Sequence, residues 1–588
     1  MAPSSLLLLV LLLLVALALG GGGARAAEED ADTGAELFAR DGFGRPVAWW
    51  AVLKLPAHVQ AGSVGVRPTP CDCAPPDCAN APTASLDVRA RATGLCYLYA
   101  DARQPAFRHF RALGLDCLGQ GGDDPLSHTL RQLRRGGGGG TAANDEPYWA
   151  LFNDQFNGIA RAFGRNRTNH SRAAVCSGGD AFSAHAKGAV GFRAASGGFF
   201  LQTSTPGFPD PTPPDPTEMD ESRAGGAFVR LGCQADNNVQ FAQHAFAASL
   251  AMAQLDALGA QLQTARLCSR NFYSGAGDDG LGALLASDAF VRDGAAAPAF
   301  GALYDALLAP DLAPREQSAA LNVTLKRLSA AARSRVFVEP VGASLPALAS
   351  RLQHAERDGA QEEAETVVRV LVKSPHTAVP PWALVAESLE SDVSVASWWD
   401  GGFGIPNVCA GDDYSGVLHA FCLADAAHGV HLVSPNGTAR FNIENLLEAT
   451  WTLQRANETE EIKWHLVGGQ TPDGNHAKWG LTTPRDGVQD PSRAFVTFAD
   501  LNMEGFPCSA ACNGSQGGRG GAFFSLQIAS LHASLATNVV SRADKSDNSD
   551  VFVDARMCHF GCWRKLQARF SSDELPRLAP NATSFWSD

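Results

Sequence analysis

The clearest hydrophobic pattern in this chain is a pair of short apolar runs joined by glycines, and it occurs twice. The first copy has 189–192 and 199–202 on either side of Gly197-Gly198. Apolar runs bounded by turn residues predict a β-hairpin, with its turn at the glycines. The second copy, 494–498 and 522–527, also has a Gly-Gly before its second run. The recurrence of Gly-Gly, Phe-Phe and Leu-Gln in both copies predicts that the two halves of the chain are a degenerate structural repeat.

Three other segments have recognisable patterns. The run 47–53 is apolar and predicts a buried strand. The stretch 241–267 is rich in Ala, Leu and Gln and predicts a helix with a core-facing apolar side, capped by Asn237 or Asn238. The region 281–363 is rich in alanine and predicts helical structure without chemically active residues.

The N-terminus predicts a secretory signal peptide. Residues 6–19 are almost wholly apolar, and Ala24-Arg25-Ala26 offers a small-x-small cleavage site. A membrane anchor is the competing interpretation, but the run is short for a span and no later segment is long and apolar enough for one. We therefore expect a protein of the secretory pathway without a stable membrane anchor.

Cysteines and glycosylation sequons fit export. The fourteen cysteines are an even number and favour disulfides over zinc ligands, although their pairing cannot be read from sequence. Seven Asn-x-Ser/Thr sequons predict a glycoprotein. They begin at Asn166, Asn169, Asn322, Asn436, Asn457, Asn513 and Asn581.

Two tripeptides, His185-Ala186-Lys187 and His476-Ala477-Lys478, place the same imidazole and ammonium pair in each half. With fifteen histidines and eight lysines in 588 residues, chance predicts about 0.2 such patterns. Residues i and i+2 of a strand share a face, so both side chains of a pair can reach one phosphate. The pairs predict a phosphodiesterase site shared by both halves, with ordinary surface residues at strand ends as the alternative.

Net charge bears on the conditions of such a reaction. The formal charge of −14 repels a polyanion at neutral pH. Protonation of all fifteen histidines would bring it to about +1, which favours a nucleic-acid substrate in an acidic compartment. Mere solubility is the alternative explanation of the acidic composition.

The order of the motifs resembles the deoxyribonuclease II family, acid endonucleases related to the phospholipase D superfamily. Each motif alone is weak, whereas the ordered combination is specific. The segments that carry the resemblance are Gly44-Arg45-Pro46-Val47-Ala48-Trp49-Trp50, Lys54-Leu55-Pro56, Asn153-Asp154-Gln155, His185-Ala186-Lys187-Gly188, Gly197-Gly198-Phe199, Pro206-Gly207-Phe208-Pro209, Asn475-His476-Ala477-Lys478-Trp479, Asp500-Leu501-Asn502 and Arg519-Gly520-Gly521.

The resemblance implies an α/β (α+β) fold of two pseudo-repeated phospholipase D-like lobes. Each lobe would be a mixed β-sheet flanked by helices, with the active site at the seam. The expected division is a signal peptide at 1–26, an N-terminal lobe with the first His-x-Lys at 27–270, an Ala-rich helical insertion or inter-lobe region at 271–365, and a C-terminal lobe with the second His-x-Lys at 366–588. The oligomeric state is open, a homodimer included.

The resemblance also implies metal-independent hydrolysis of DNA to 3′-phosphate and 5′-hydroxyl ends, with no cofactor. One histidine, His185 or His476, would be neutral and attack phosphorus to form a phosphohistidine. The other would be protonated and donate to the departing 5′ oxygen. Lys187 and Lys478 would stabilise charge on the phosphoryl group. His185 as the nucleophile is a hypothesis.

Three further residues have weaker assignments. Asn502 would bind a phosphate oxygen and Arg519 a flanking phosphate, with an ordinary turn asparagine and surface arginine as about equal alternatives. Asp500 would orient an imidazole or cap a strand end. Trp479 is expected to pack in the core rather than to stack on a base. Gly480 occupies a position where animal members of the family usually have a cysteine.

Two other functions stay open. One is a phospholipase D-like lipid phosphodiesterase, which would need an apolar channel or a membrane-binding face. The other is a non-catalytic secreted glycoprotein that binds DNA through the same fold. With DNA as the partner, the expected location is a lysosome, an acidic vacuole or the extracellular medium.

Overall fold

The computed structural model describes the parts of the chain around both His-x-Lys motifs. The described residues are 36–60, 66–68, 94–133, 148–153, 184–193, 196–206, 208, 241–265, 272–274, 319–325, 338–339, 366–374, 381–398, 410, 424–425, 430–431, 438, 440–446, 448–455, 458–466, 474–483, 491–502, 519–538 and 540–541. The predicted signal peptide and six of the seven sequons lie outside them. The remaining sequon begins at Asn322, within a strand.

Strands dominate the described structure. They are β1 (Trp49–Lys54), β2 (His58–Gln60), β3 (Val66–Pro68), β4 (Tyr97–Asp101), β5 (Arg108–His109), β6 (Tyr148–Asn153), β7 (Lys187–Arg193), β8 (Gly197–Thr203), β9 (Gln243–Leu250), β10 (Phe272–Ser274), β11 (Ala319–Leu325), β12 (Val338–Glu339), β13 (Thr366–Lys373), β14 (Asp392–Ala396), β15 (Ala424–Asp425), β16 (Val430–His431), β17 (Ile443–Asn445), β18 (Glu448–Arg455), β19 (Glu458–His465), β20 (Trp479–Thr483), β21 (Phe495–Ala499), β22 (Gly521–Gln527) and β23 (Val540–Ser541).

Helices are fewer. They are α1 (Pro125–Arg131), α2 (Met252–Ala265), α3 (Pro381–Leu389) and α4 (Ala529–Asn538), with 3-10 turns at Phe110–Leu113 and Pro491–Arg493. In the part of the chain that is described, no helix has both the length and the apolar character needed to cross a membrane.

Two eight-stranded sheets form the frame. Their orders are β10-β6-β7-β8-β9-β1-β4-β5 and β12-β11-β13-β22-β21-β20-β14-β17. Smaller sheets have the orders β23-β18-β19-β2-β3 and β15-β16. Among the described strands of the large sheets every pair is antiparallel except β14 with β17. Mostly antiparallel sheets with few helices confirm the predicted α+β class.

The two large sheets share an internal arrangement. Both contain five strands in the same spatial and chain order, β6-β7-β8-β9-β1 in one and β14-β20-β21-β22-β13 in the other. A helix follows the fourth of these strands in each case, α2 after β9 and α4 after β22. Two phospholipase D-like lobes, with the boundaries expected from the sequence, stay a prediction.

Aromatic side chains join the large sheets. Ring centroids lie 5.2 Å apart for Phe200 and Phe524, and 5.7 Å apart for Phe246 and Phe498. Alternate residues of a strand share a face, so β8 and β9 present these rings toward β21 and β22. All four side chains are buried, and aromatic burial of this kind is a major source of core stability.

The predicted hairpin is confirmed, but its turn is displaced. Strands β7 and β8 pair antiparallel, with Gly188 opposite Gln202. Gly197 and Gly198 belong to β8, so the turn precedes them. Their small size is needed in the strand, because a Cβ on Gly198 would lie 1.9 Å from the carbonyl oxygen of Gly191.

The predicted helix over 241–267 is wrong in its first half. Strand β9 occupies Gln243–Leu250, and the helix α2 covers only Met252–Ala265. Alanine favours a helix locally, but β9 lies between β8 and β1, and both of its faces are buried. In α2 the predicted core face is confirmed by the buried Leu255, Leu258 and Leu262. The proposed caps lie outside the described residues.

Two further features concern single segments. Within the Ala-rich region, Ala319–Leu325 is a strand paired with β13 rather than a helix, and β12 pairs with its other edge. Ladder hydrogen bonds on both sides override the helical preference of alanine there. Cys96 and Cys117 are each disulfide-bonded, in agreement with the predicted use of cysteines in disulfides.

Candidate active site

The first His-x-Lys lies at the start of β7. The Lys187 ammonium donates to Nε2 of His185 over 3.3 Å, and Nδ1–H of His185 donates to the main-chain carbonyl of Asp500 over 2.8 Å. A carbonyl oxygen only accepts, so this bond fixes the tautomer and leaves the lone pair on Nε2, where it accepts from Lys187. Both side chains are buried, Lys187 almost completely.

The sequence predicted that Asp500 either orients an imidazole or caps a strand end. In the structure it orients the His185 imidazole, but through its main-chain carbonyl. Its carboxylate is occupied elsewhere: Oδ1 accepts from Nε2 of Gln202 and Oδ2 from the N–H of Ala522, each over 2.9 Å. The carboxylate therefore holds strands of both sheets together, and the sequence alone could not separate these two roles.

The second His-x-Lys immediately precedes β20. Phe241 stacks on the His476 ring at 4.2 Å with an interplanar angle of 4°, and the Trp398 ring meets it edge-on at 5.4 Å. Nε2 of His476 is buried without a hydrogen-bond partner among the described residues. Burial lowers the pKa of His476 well below its ordinary value, and the nearby charges of Lys478 and Lys187 lower it further.

Each motif is anchored to the opposite sheet. The main-chain N–H of His185 donates to the carbonyl of Gly520 over 2.9 Å, next to β22. That of His476 donates to the carbonyl of Ala242 over 2.8 Å, next to β9. Each motif is therefore held by the sheet that carries the other motif, and the charge of Lys187 reaches His476.

A buried lysine supports each of these anchors. Nζ of Lys54 donates to the carbonyl of Phe241 over 2.5 Å and to that of Gly94 over 2.8 Å. Nζ of Lys373 donates to the carbonyl of Arg519 over 3.0 Å. Each acceptor immediately precedes the residue that holds the histidine of one motif, so the two lysine amino groups have matching places in the two sheets.

The remaining predicted site residues have mixed placements. Asn502 is buried two residues beyond Asp500, close to the first motif. The Arg519 guanidinium donates to the carbonyl of Ala184 over 3.0 Å and so holds the segment that leads into His185. Contact of either side chain with phosphate stays a prediction.

A third histidine, His244, belongs to the same cluster. It lies on β9 and is 1% exposed. Its Nδ1 accepts the main-chain N–H of Lys478 over 3.0 Å, and its ring stacks with Phe498 at 5.8 Å. His244 was not predicted from the sequence, because β9 was predicted as a helix and the strand face shared by alternate residues was therefore not considered. Trp398 was missed as well, since it belongs to no motif.

Two positions beside the second motif are fixed by packing. Trp479 is 1% exposed, which confirms its predicted place in the core. A Cβ on Gly480 would lie 2.7 Å from Cζ3 of Trp382, so the absence of a cysteine here has a steric reason. No group of three or more His, Cys, Asp or Glu residues suited to a metal ion occurs within the described ranges.

Comparison with known families identifies one match. Residues 80–469 match the family model described as Deoxyribonuclease II. The matched range includes His185 and Lys187, and it ends just before His476 and Lys478. A search of curated proteins finds no match to the chain.

Proposed function

Because the chain belongs to the deoxyribonuclease II family, and is thus a nuclease with DNA as its substrate, we propose that it hydrolyses DNA without a metal through a phosphohistidine at His185. The products would be 3′-phosphate and 5′-hydroxyl ends. The observation that carries this proposal is the shared site: two imidazoles and two ammoniums, with each His-x-Lys hydrogen-bonded to the opposite sheet.

The nucleophile is His185. Its Nδ1–H···O=C bond to Asp500 supports this role, because it directs the Nε2 lone pair away from the carbonyl. As Nε2 bonds to phosphorus, the ring gains positive charge, and the same carbonyl stabilises that charge. The Lys187 ammonium next to Nε2 would move to a non-bridging oxygen when substrate binds.

The general acid is His476. Its low pKa keeps it neutral in the free protein, and the negative charge of a bound phosphodiester raises that pKa again. The P–O5′ bond breaks as the Nε2–P bond forms, and the proton of His476 passes to the 5′ oxygen. In the second step a water attacks phosphorus, His476 accepts its proton, and the N–P bond breaks to release the 3′-phosphate.

An acidic working environment follows from this assignment. The protein needs a protonated His476, and the general loss of negative charge at low pH also favours the approach of DNA. A lysosome, an acidic vacuole or an acidified extracellular space is therefore the proposed location.

Nicking of supercoiled plasmid at about pH 5 in excess EDTA tests the proposal. Wild type should nick, His185→Ala and His476→Ala should not, and His465→Ala on β19 is the control that should nick normally. Ends that polymerase extends only after phosphatase treatment would identify 3′-phosphates. Wild-type inactivity would contradict a metal-independent nuclease and favour the lipid or binding alternatives, while a phosphoenzyme mapped to His476 would reverse the two roles.

A further inference from the structure

His244 has a buried ring N–H that finds no acceptor in the described part of the chain. Nδ1 accepts from the main-chain N–H of Lys478, so the proton of the neutral ring must be on Nε2. That Nε2 is buried and has no hydrogen-bond partner among the described residues. An unsatisfied buried donor costs about 1–3 kcal/mol, so a native protein that keeps one needs a reason.

The surroundings of His244 suggest what would satisfy this donor. Phe498 covers the ring, and Phe246, two residues along the same strand face, packs against the opposite sheet. Both site ammoniums, Lys478 and Lys187, are near enough for their charges to lower the pKa of the ring, after the larger effect of burial. A buried donor with two cations in its neighbourhood is suited to an anionic oxygen.

The matching position in the other sheet lacks this group. In the first sheet the N–H of Ser204 donates to the carbonyl of His244, and the N–H of His244 donates to Oγ of Ser204. In the second sheet Asp500 and Ala522 exchange the same two bonds. His244 therefore corresponds to Ala522, and the third imidazole is present on one side only. The two halves of the site are therefore unequal at this position.

We propose that His244 binds a non-bridging oxygen of the scissile phosphate through Nε2–H, as a neutral donor, while its Nδ1 holds the main chain of Lys478. The assignment rests on the proposed phosphodiester chemistry of this site. It makes His244 a third histidine in contact with the substrate, beside the two His-x-Lys pairs, and one that stabilises charge and transfers no proton.

Two substitutions separate the donor from the structural bond. In His244→Asn the side-chain oxygen can replace Nδ1 and keep the bond from Lys478, but nothing replaces Nε2–H. In His244→Gln the amide can reach the place of Nε2, but the bond from Lys478 is lost. If the donor matters, Gln is the better replacement; if His244 is only structural, Asn is the better one.

Orthovanadate, which mimics the pentacoordinate phosphoryl group, is the probe for calorimetric titration, and plasmid nicking is the second readout. We expect His244→Asn to bind orthovanadate at least tenfold more weakly and to lose about 10²-fold in kcat, with His244→Gln closer to wild type in both. Equal orthovanadate affinity of wild type and His244→Asn, or Asn outperforming Gln, would overturn the assignment.

A structure of the wild type with orthovanadate tests the proposal without any substitution that could disturb the fold. Nε2 of His244 within about 3.2 Å of a vanadate oxygen would support the proposal, and a larger separation would overturn it. The two proposals can fail separately: a wild type that binds orthovanadate through His244 but leaves DNA intact contradicts the nuclease mechanism and not this contact.

Discussion

The main-chain N–H of His476 donates to the carbonyl of Ala242, a residue that adjoins a strand of the other large sheet. The next side chain back, Phe241, stacks on the same imidazole. The position of His476 is therefore set by the first sheet, and His185 depends on the second sheet in the same way through Gly520. Any change that shifts these acceptors should affect catalysis without touching substrate.

The pH dependence should differ between kcat/KM and kcat. A histidine with a lowered pKa is protonated only below that pKa, so activity that needs protonated His476 is present at low pH and lost as pH rises. The free enzyme governs kcat/KM, whereas the substrate complex governs kcat. Because bound phosphate raises the pKa of His476, we expect kcat/KM to fall at lower pH than kcat in initial-rate profiles.

The opposite order of the two inflections would contradict His476 as the acid. His465→Ala is again the control, and its two profiles should superimpose on those of wild type. A profile that rises toward neutral pH in both parameters would exclude the proposed pair of protonation states altogether.

Replacement of Lys54 by methionine should lower both stability and activity. The carbonyls of Phe241 and Gly94 would lose their donor, at a cost of about 2–4 kcal/mol in the free energy of unfolding. Since Phe241 supports His476, we also expect kcat to fall by about tenfold or more.

Lys463→Met is the matched control for Lys54→Met. Lys463 lies on β19 in an exposed ion pair with Glu461, and such pairs contribute only about 0–1 kcal/mol. Urea unfolding and nicking rates measure both effects. A Lys54→Met protein with wild-type stability and rate would refute the supporting role of the buried ammonium.

Gly480→Ala should destabilise the protein by about 1–3 kcal/mol, because the new methyl group would overlap the Trp382 ring. Trp382→Phe removes the part of the ring nearest to that methyl group. In thermal unfolding the double variant should therefore be less destabilised than the sum of the single variants. Strict additivity would mean that the clash is relieved by backbone movement instead.

Asp124 should make stability depend on pH. Its carboxylate caps α1 by accepting from the N–H of Ser127 over 2.9 Å, and burial raises its pKa from 3.8 to about 6. An acid whose folded pKa is raised favours the folded state when protonated, so its contribution appears as pH falls through about 6 and is complete below 3.8. Between these two pH values the free energy of unfolding should rise by roughly 3 kcal/mol as pH falls.

The comparison variant is Asp124→Asn, which keeps a capping oxygen but cannot titrate. Wild type should gain stability relative to this variant as pH falls from about 7 to about 4 in denaturant titrations. A constant difference across that range would show that the carboxyl does not change protonation on unfolding.

The sequence predicted the chemistry of the site better than its architecture. His185, Lys187, His476 and Lys478 belong to short motifs that local pattern alone could single out, and their catalytic roles stay a prediction. The tautomer of the first imidazole was not predictable, because its partner is a main-chain carbonyl and every residue has one. Only the tertiary fold selects the carbonyl of Asp500 for that bond.

Secondary structure was predicted well where apolar runs have turn residues on both sides, and poorly where alanine is the most frequent residue. Strand β1 and the hairpin β7-β8 have apolar runs flanked by turn residues. In β9 and β11 alanine imitates a helix, and the ladders formed with distant strands decide the outcome. Missing β9 as a strand also meant missing His244.

The crossed anchoring of the two histidines has a consequence for synthesis. A growing chain carries His185 and Lys187 long before it contains Asp500 and Gly520, the residues that hold that imidazole from the other sheet. The N-terminal half of the chain alone thus lacks the Asp500 carbonyl that fixes the tautomer of His185, and it lacks His476. A nascent chain that ends before Gly520 therefore cannot hold His185 as the folded protein does, so the arrangement of both motifs can form only late in translation.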